Sequence, residues 1–249
     1  MNKSVVILTG SNGGIGSAIL KELNKDNFLI GLDISYKKNV TLKNGYKIPM
    51  DLSRYARCEN YRIEKTNQIK ECFPKNINKI TLINNAAIQT LSKFEKIKYE
   101  DLLYTFDVNF SSSLFLSQAI LPELIEYKGS IINIGSIHAK QTKPYFTLYS
   151  TAKAALEALT RSMAVELGSS IKVNAISPAA ILTPMLMSGF KKNKTNLKYL
   201  KKYHPSNSIG EPAELAKIVR MLIENNSNFL NGSIIDFDGG ISSRLHDLE

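Results

Sequence analysis

The chain holds 249 residues, a length that one α/β domain with a single core can fill. Its 32 Lys and Arg against 22 Asp and Glu leave a formal charge of +10, but the lysines are spread through loops and helix faces, and no segment interleaves Arg with aromatic rings as a single-strand nucleic-acid binder would. Two cysteines, Cys58 and Cys72, and three histidines form neither a disulfide framework nor a metal-ligand pattern, and no apolar run is long enough to cross a bilayer.

These exclusions leave a soluble, cytoplasmic protein as the expectation, with a small molecule as its partner and no metal, nucleic acid or membrane. Met1-Asn2-Lys3 leads straight into a short strand rather than through a signal peptide. That strand, Ser4-Val5-Val6-Ile7-Leu8, is continuous and β-branched, the pattern of a strand buried on both faces. Thr9-Gly10-Ser11-Asn12-Gly13-Gly14-Ile15-Gly16 follows, and then the helical Ser17-Ala18-Ile19-Leu20-Lys21-Glu22-Leu23. A strand, a glycine-rich turn and a helix start form an anion site, because glycines let the backbone approach a pyrophosphate and helix N-terminal amides point at it. Gly10, Asn12, Gly14, Ile15 and Gly16 are therefore candidate dinucleotide contacts.

The next strand, Phe28-Leu29-Ile30-Gly31-Leu32, ends at Asp33. A carboxylate there accepts both hydroxyls of an adenosine ribose and repels a 2′-phosphate, which favours NAD over NADP; Lys37 and Lys38 would favour NADP if their loop folded back. A third strand over 46–50 leads to Asp51 and Leu52, candidates for the adenine edge, and a helix is predicted over 59–72. A fourth strand, Lys79-Ile80-Thr81-Leu82-Ile83, closes in Asn84-Asn85-Ala86-Ala87, whose small side chains and amides suit a strand end that packs on a cofactor and ties neighbouring strands together. A long helix is predicted over 99–125, kinked near Pro122 and carrying Asn109. Alternating strands and helices with short connections predict a single α/β domain: a Rossmann-type doubly wound parallel sheet of about seven strands with helices on both faces.

Ser136 follows the buried run Ser130-Ile131-Ile132-Asn133-Ile134 and falls at the C-terminal edge of the sheet, where ligands of open α/β sheets collect. Beyond it, Tyr149 and Lys153 open a segment rich in helix formers, so they sit one turn apart on one face. A cation beside a phenol favours the phenolate and lowers a pKa of about 10 toward the working range, which makes Tyr149 a candidate acid or base.

With these residues assembled, the chain resembles the short-chain dehydrogenase/reductase family over almost its whole length. Thr9-Gly10-x-x-x-Gly14-Ile15-Gly16, Asp51-Leu52, Asn84-Asn85-Ala86-Ala87, Asn109, Ser136 and Tyr149-x-x-x-Lys153 stand in family order at family spacing. The resemblance implies a catalytic tetrad of Asn109, Ser136, Tyr149 and Lys153. Tyr149 would exchange a proton with the substrate oxygen that Ser136 polarises, Lys153 would hold the nicotinamide ribose and acidify the phenol, and Asn109 would anchor a proton-carrying water. It also implies cofactor contacts from Asn85, Ala86, Ala87, Tyr149, Lys153, Pro178, Ile181 and Thr183, and a homotetramer or homodimer. Ala179 departs from the family's Pro-Gly, which leaves the backbone of that loop open, since alanine disfavours a positive φ.

The family's epimerase branch needs a substrate domain for which this chain has no room, and its bacterial enoyl reductases space tyrosine and lysine further apart. The resemblance thus points to a simple alcohol dehydrogenase or ketone reductase. Residues 184–208 would form a substrate lid. It carries Met185, Leu186, Met187 and Phe190 as apolar contacts, and Lys191, Lys192, Lys194, Lys198, Lys201 and Lys202 as either a solvated face or an anion attractor. His138 and Gln141 on the opposite wall suit a polyol or sugar, so Ser136, His138 and Tyr149 are the candidate substrate contacts. The expected function is NAD(H)-dependent interconversion of a secondary alcohol and a ketone on a hydroxylated metabolite. A 3-oxoacyl thioester reductase and a catalytically silent dinucleotide-binding protein are the alternatives.

Overall fold

A computed structural model describes residues 3–189 and 194–245. Eight strands form one sheet in the order β3-β4-β2-β1-β5-β6-β7-β8, namely β1 (Lys3–Thr9), β2 (Asn27–Asp33), β3 (Val40–Leu42), β4 (Gly45–Pro49), β5 (Ile77–Asn84), β6 (Ser130–Ile134), β7 (Lys172–Pro178) and β8 (Ile234–Phe237). Every pairing is parallel except β3 with β4. The order reverses between β1 and β5, which opens the crevice where such sheets bind ligands.

The sheet has one strand more than predicted. The addition, β3, is three residues long, antiparallel and exposed or half-buried, so its Val-Thr-Leu carries no buried-strand signal. It is a short edge strand that a local turn folds onto β4.

Alternation along β1 assigns the two faces. Val5 and Ile7 join a core with Leu116, Ile120 and Leu124, while Val6 and Leu8 join one with Ile19, Leu215 and Val219. The first face is covered by α3 (Glu59–Glu71), α5 (Ser112–Glu126) and α6 (Thr147–Leu167), the second by α1 (Gly14–Leu23) and α9 (Pro212–Glu224). Fully burying each such side chain contributes on the order of 2 kcal/mol, so continuous apolar strands are what a sheet covered twice demands. A polar chain crosses the first core: Asn84 Nδ2 donates to Asn133 Oδ1 at 2.8 Å, and Asn133 Nδ2 to Thr160 Oγ1 at 2.8 Å. These bonds tie β5 to β6 and β6 to α6, as expected for a strand end that braces its neighbours.

The helix predicted over 99–125 runs without a break to 126, and its irregular turn is not at Pro122. It divides into α4 (Tyr99–Phe106), a π turn at Asp107–Ser111 and α5, and Pro122 lies inside α5 without ending it. Asp107, Val108 and Asn109 are buried in succession within the π turn. The helix predicted over 59–72 is α3, preceded by a short α2 (Leu52–Arg57). The chain is completed by α7 (Pro184–Gly189) and α8 (Lys194–Tyr203). Among the described residues no helix is long and apolar enough to cross a membrane.

Candidate active site

The loop between β1 and α1 is shaped by glycines that no other residue replaces. Gly10 has φ +62°, and a Cβ there would lie 2.8 Å from Ala86 Cα; a Cβ on Gly16 would collide with the Gly10 carbonyl oxygen. Thr9 Oγ1 accepts from the N–H groups of Asn85 (2.9 Å) and Ala86 (3.0 Å), and Asn85 Nδ2 donates to the carbonyls of Thr9 (2.9 Å) and Gly10 (3.1 Å). The end of β5 is thereby clamped to the loop. Helix α1 starts after Gly13 with no side-chain cap and no acid in its first turn, which leaves its N-terminal amides and partial positive charge for a ligand. A loop of this shape can hold a diphosphate group.

Asp33 stands at the end of β2 beside that loop. Its Oδ2 accepts from the N–H of Asn12 at 2.9 Å, and its Oδ1 from the N–H and O–H of Ser35 at 2.9 and 2.7 Å. Asn12 Nδ2 in turn donates to Ser35 Oγ at 2.9 Å. The carboxylate is held in place with acceptor capacity to spare. Asp51, expected at the adenine edge, also caps α2: its Oδ1 accepts from Arg54 N–H at 3.1 Å.

At the other end of the cleft, β6 delivers Ser136 and the N-terminal half of α6 delivers Tyr149 and Lys153. Tyr149 is 8% exposed and Lys153 2%. Ser136 Oγ accepts from His138 N–H at 3.2 Å and shares a hydrogen bond with the Tyr149 side chain. Lys153 Nζ donates to the carbonyl oxygen of Ile134 at 2.6 Å and lies 5.9 Å from the centre of the Tyr149 ring.

Burial pushes the Tyr149 phenol up, with the Ser136 hydrogen bond opposing it. Burial also pulls Lys153 down to about 8, with the Glu157 carboxylate opposing. The sequence-based expectation of an acidified phenol is thus reversed, because desolvation outweighs the Ser136 hydrogen bond. Tyr149 therefore holds its proton near neutrality, and Lys153 keeps most of its charge there.

His138 stacks on Phe146 with ring centres 4.3 Å apart and meets Tyr149 edge-on at 5.7 Å, while its Nδ1 pairs with Thr142 Oγ1 at 3.1 Å. Burial, helped by Lys143, lowers it to about 4. Its ring is a neutral wall beside the phenol. Asn109 is 1% exposed, and its side chain is spent on the Ile88 peptide: Oδ1 accepts from the N–H at 2.8 Å and Nδ2 donates to the carbonyl at 2.9 Å.

One cavity of about 950 Å³ joins all these parts. Gly10, Asn12, Gly14, Ile15, Gly16, Asp33, Asp51, Leu52, Asn85, Ala86 and Ala87 line it, as do Ser136, His138, Gln141, Tyr149, Lys153, Pro178, Ile181 and Thr183. Of the predicted catalytic and cofactor residues only Asn109 does not, though Ile88, which it holds, does; of the apolar lid contacts expected, Met187 does not line it either and is exposed. The volume is at the upper end for ligand pockets, and the glycine cradle has the chemistry that a nicotinamide dinucleotide needs. Ala179 has no positive φ, so alanine is accommodated where the resemblance left the loop open.

The lid lines the same cavity through Met185, Leu186, Leu200 and His204, while Lys198, Lys201 and Lys202 are exposed. Leu200 and His204 are two residues that sequence reasoning passed over. His204 falls just past the end of α8, where its Nδ1 bonds the Leu200 carbonyl oxygen at 2.9 Å, a placement that local sequence does not signal. Phe190, Lys191 and Lys192 lie outside the described residues, as does the side chain of Lys194.

A family model described as enoyl-(acyl carrier protein) reductase matches residues 11–242. The 3-oxoacyl-[acyl-carrier-protein] reductase FabG of Buchnera aphidicola subsp. Baizongia pistaciae is 33% identical, over 96% of this chain and 97% of its own length. The ligand-free structure of Thermoplasma acidophilum aldohexose dehydrogenase superposes with a TM-score of 0.87 at 26% identity, over 100% of this chain and 97% of that one. A 4-hydroxyisoleucine dehydrogenase complexed with NADH superposes with a TM-score of 0.84 at 29% identity, over 98% and 100% of the two chains. Cleft, glycine cradle and these likenesses together place the chain in the short-chain dehydrogenase/reductase family of NAD(P)-dependent oxidoreductases.

Proposed function

We propose that the protein is an NAD(H)-dependent oxidoreductase that interconverts a secondary alcohol and a ketone on a hydroxylated small molecule such as a sugar or polyol. The observation that carries this reading is the buried set of Ser136, Tyr149 and Lys153 at one end of a cleft whose other end is a diphosphate cradle. Gly10, Gly14, Gly16 and the first amides of α1 would hold the diphosphate, Asp33 the adenosine ribose, and Lys153, Ile181 and Thr183 the nicotinamide end. The nicotinamide supplies a hydride donor or acceptor.

In reduction, Ser136 orients the substrate carbonyl and Tyr149, still protonated, gives its proton to the oxygen. The Lys153 ammonium, fixed on the Ile134 carbonyl, stabilises the negative charge that then develops on the phenol oxygen. Asn109 contributes by holding Ile88 in the cleft wall, and a water-anchoring role for it would have to run through its backbone. Asp33 supports NAD over NADP, since its carboxylate opposes a 2′-phosphate. The neutral His138 wall and the outward lysines of α8 support an uncharged, hydroxylated substrate.

The similarity to FabG supports a second reading, reduction of a 3-oxoacyl thioester. NADH consumption with ketoses, cyclic hydroxyketones and 3-oxoacyl thioesters separates the two. Turnover of hydroxylated ketones alone is the result expected, and turnover of the thioesters alone would move the assignment to the second. Exposed Phe94, in the turn before α4, and Tyr99 and Tyr104 on α4 suit the homodimer or homotetramer that the family resemblance implies, which light scattering reads directly.

A further inference from the structure

Glu157 is a carboxylate in the core that the chemistry above leaves unused. It follows Lys153 by one turn of α6, so that Tyr149, Lys153 and Glu157 recur every four residues on the buried face, and it is 3% exposed. A carboxylate so placed is costly unless it has partners. Its Oε1 accepts from Ser177 Oγ at 3.0 Å, and Ser177 directly precedes the cleft residue Pro178 in β7.

The carboxylate also backs the segment that presents the reacting groups. A Cβ on Gly135 would come within 3.3 Å of Glu157 Oε1, and Gly135 separates Ile134, whose carbonyl holds Lys153, from Ser136, which bonds Tyr149. The charges that reach Glu157 are Lys153 and Arg161 from its own helix, Lys140 from the segment after β6, and Asp236 from β8. Lys140 and Asp236 largely satisfy each other, at 2.9 and 3.0 Å. Burial raises Glu157, with Ser177, Lys140 and Arg161 opposing, and Glu157 in turn acts on Lys153 one turn back along the buried face of α6.

We propose that Glu157 is a positioning residue for the reaction: from one turn beyond Lys153 on the buried face of α6, its carboxylate backs the Gly135 peptide and holds the ammonium on the Ile134 carbonyl, and its bond to Ser177 fixes the end of β7 against the segment that carries Ser136. This inference rests on the proposed roles of Tyr149 and Lys153. Lys153 titrates near 8 with Glu157 opposing the effect of burial, so removing the carboxylate makes the ammonium easier to deprotonate. The rate of reduction then falls off at lower pH than in the unaltered protein.

The test is the pH dependence of kcat/KM for Glu157→Gln, with NADH affinity and melting temperature measured alongside. The expected result is an alkaline limb displaced to lower pH, rates within about threefold of wild type at the acid end, and unchanged NADH affinity. Glu157→Asp, which keeps the charge, restores the limb. A uniform loss at every pH with the limb unmoved would reduce Glu157 to a packing role and overturn the proposal. If Glu157→Gln does not fold, the paired change Glu157→Met with Ser177→Ala removes both polar partners together, and the same displacement is required of it. Tyr149→Phe separates the failures: if it stays active, the reductase chemistry falls and this proposal with it, whereas an inactive Tyr149→Phe beside an unmoved Glu157→Gln limb overturns the role of Glu157 alone.

Discussion

Lys153 donates to the carbonyl oxygen of Ile134 at 2.6 Å, two residues before Ser136, so one buried contact fixes the cation of α6 against the strand end that carries Ser136. The site is thus built from the backbone of β6 as much as from the side chains of α6. That contact, the burial around it and the glycine cradle make the following expectations.

The rate of ketone reduction will hold through neutrality and fall as pH rises through about 8, where Lys153 loses its charge. Tyr149 titrates higher, since burial raises it, and does not set this limb. Initial rates between pH 6 and 10 at saturating NADH check this, and Lys153→Arg, which does not titrate in that range, will remove the limb.

Gly16→Ala will destabilise the chain by roughly 2 kcal/mol or more, because its Cβ meets the Gly10 carbonyl oxygen rather than a flexible side chain. NADH affinity will fall at least about tenfold in the same variant, since relief of the clash must open the cradle. Denaturant titration and fluorescence titration with NADH read the two effects.

Asp33→Asn will raise the ratio of kcat/KM with NADPH to that with NADH by about tenfold or more, by removing the charge that opposes a 2′-phosphate. An unchanged ratio would mean that Asp33 serves only the loop, through Asn12 and Ser35.

Stability will decrease as pH falls from about 6.5 toward 4. His138 is depressed from 6.5 to about 4 in the folded chain, so within that window the unfolded chain binds the proton and the folded one does not. Melting temperatures between pH 4 and 7 will show the slope, and His138→Gln will flatten it.

Much of this site was legible because its residues are constrained by chemistry that sequence displays. The glycines of 10–16 and the pair Tyr149 and Lys153 have few alternatives at their positions, and the apolar runs of β1, β2, β5 and β6 follow from burial on both faces. Other features were not legible, for physical reasons. The π turn at Asp107–Ser111 depends on Asn109 capturing the peptide of Ile88, a residue 21 positions away, and local propensity is blind to that. The direction of the Tyr149 shift depends on how dry the site is, which spacing cannot report. Glu157 and His204 are polar residues whose burial comes from the packing of α6 and of the lid, and local sequence does not signal it.

The central claim is that Tyr149 supplies the proton to a substrate held beside a bound nicotinamide. It is tested most directly by single-turnover NADH oxidation with Tyr149→Phe, which keeps the ring and its packing on His138 and Phe146 and removes only the hydroxyl. NADH affinity within about twofold of wild type and a rate lower by at least about a hundredfold are the result expected. Hydride transfer at the wild-type rate would contradict the account.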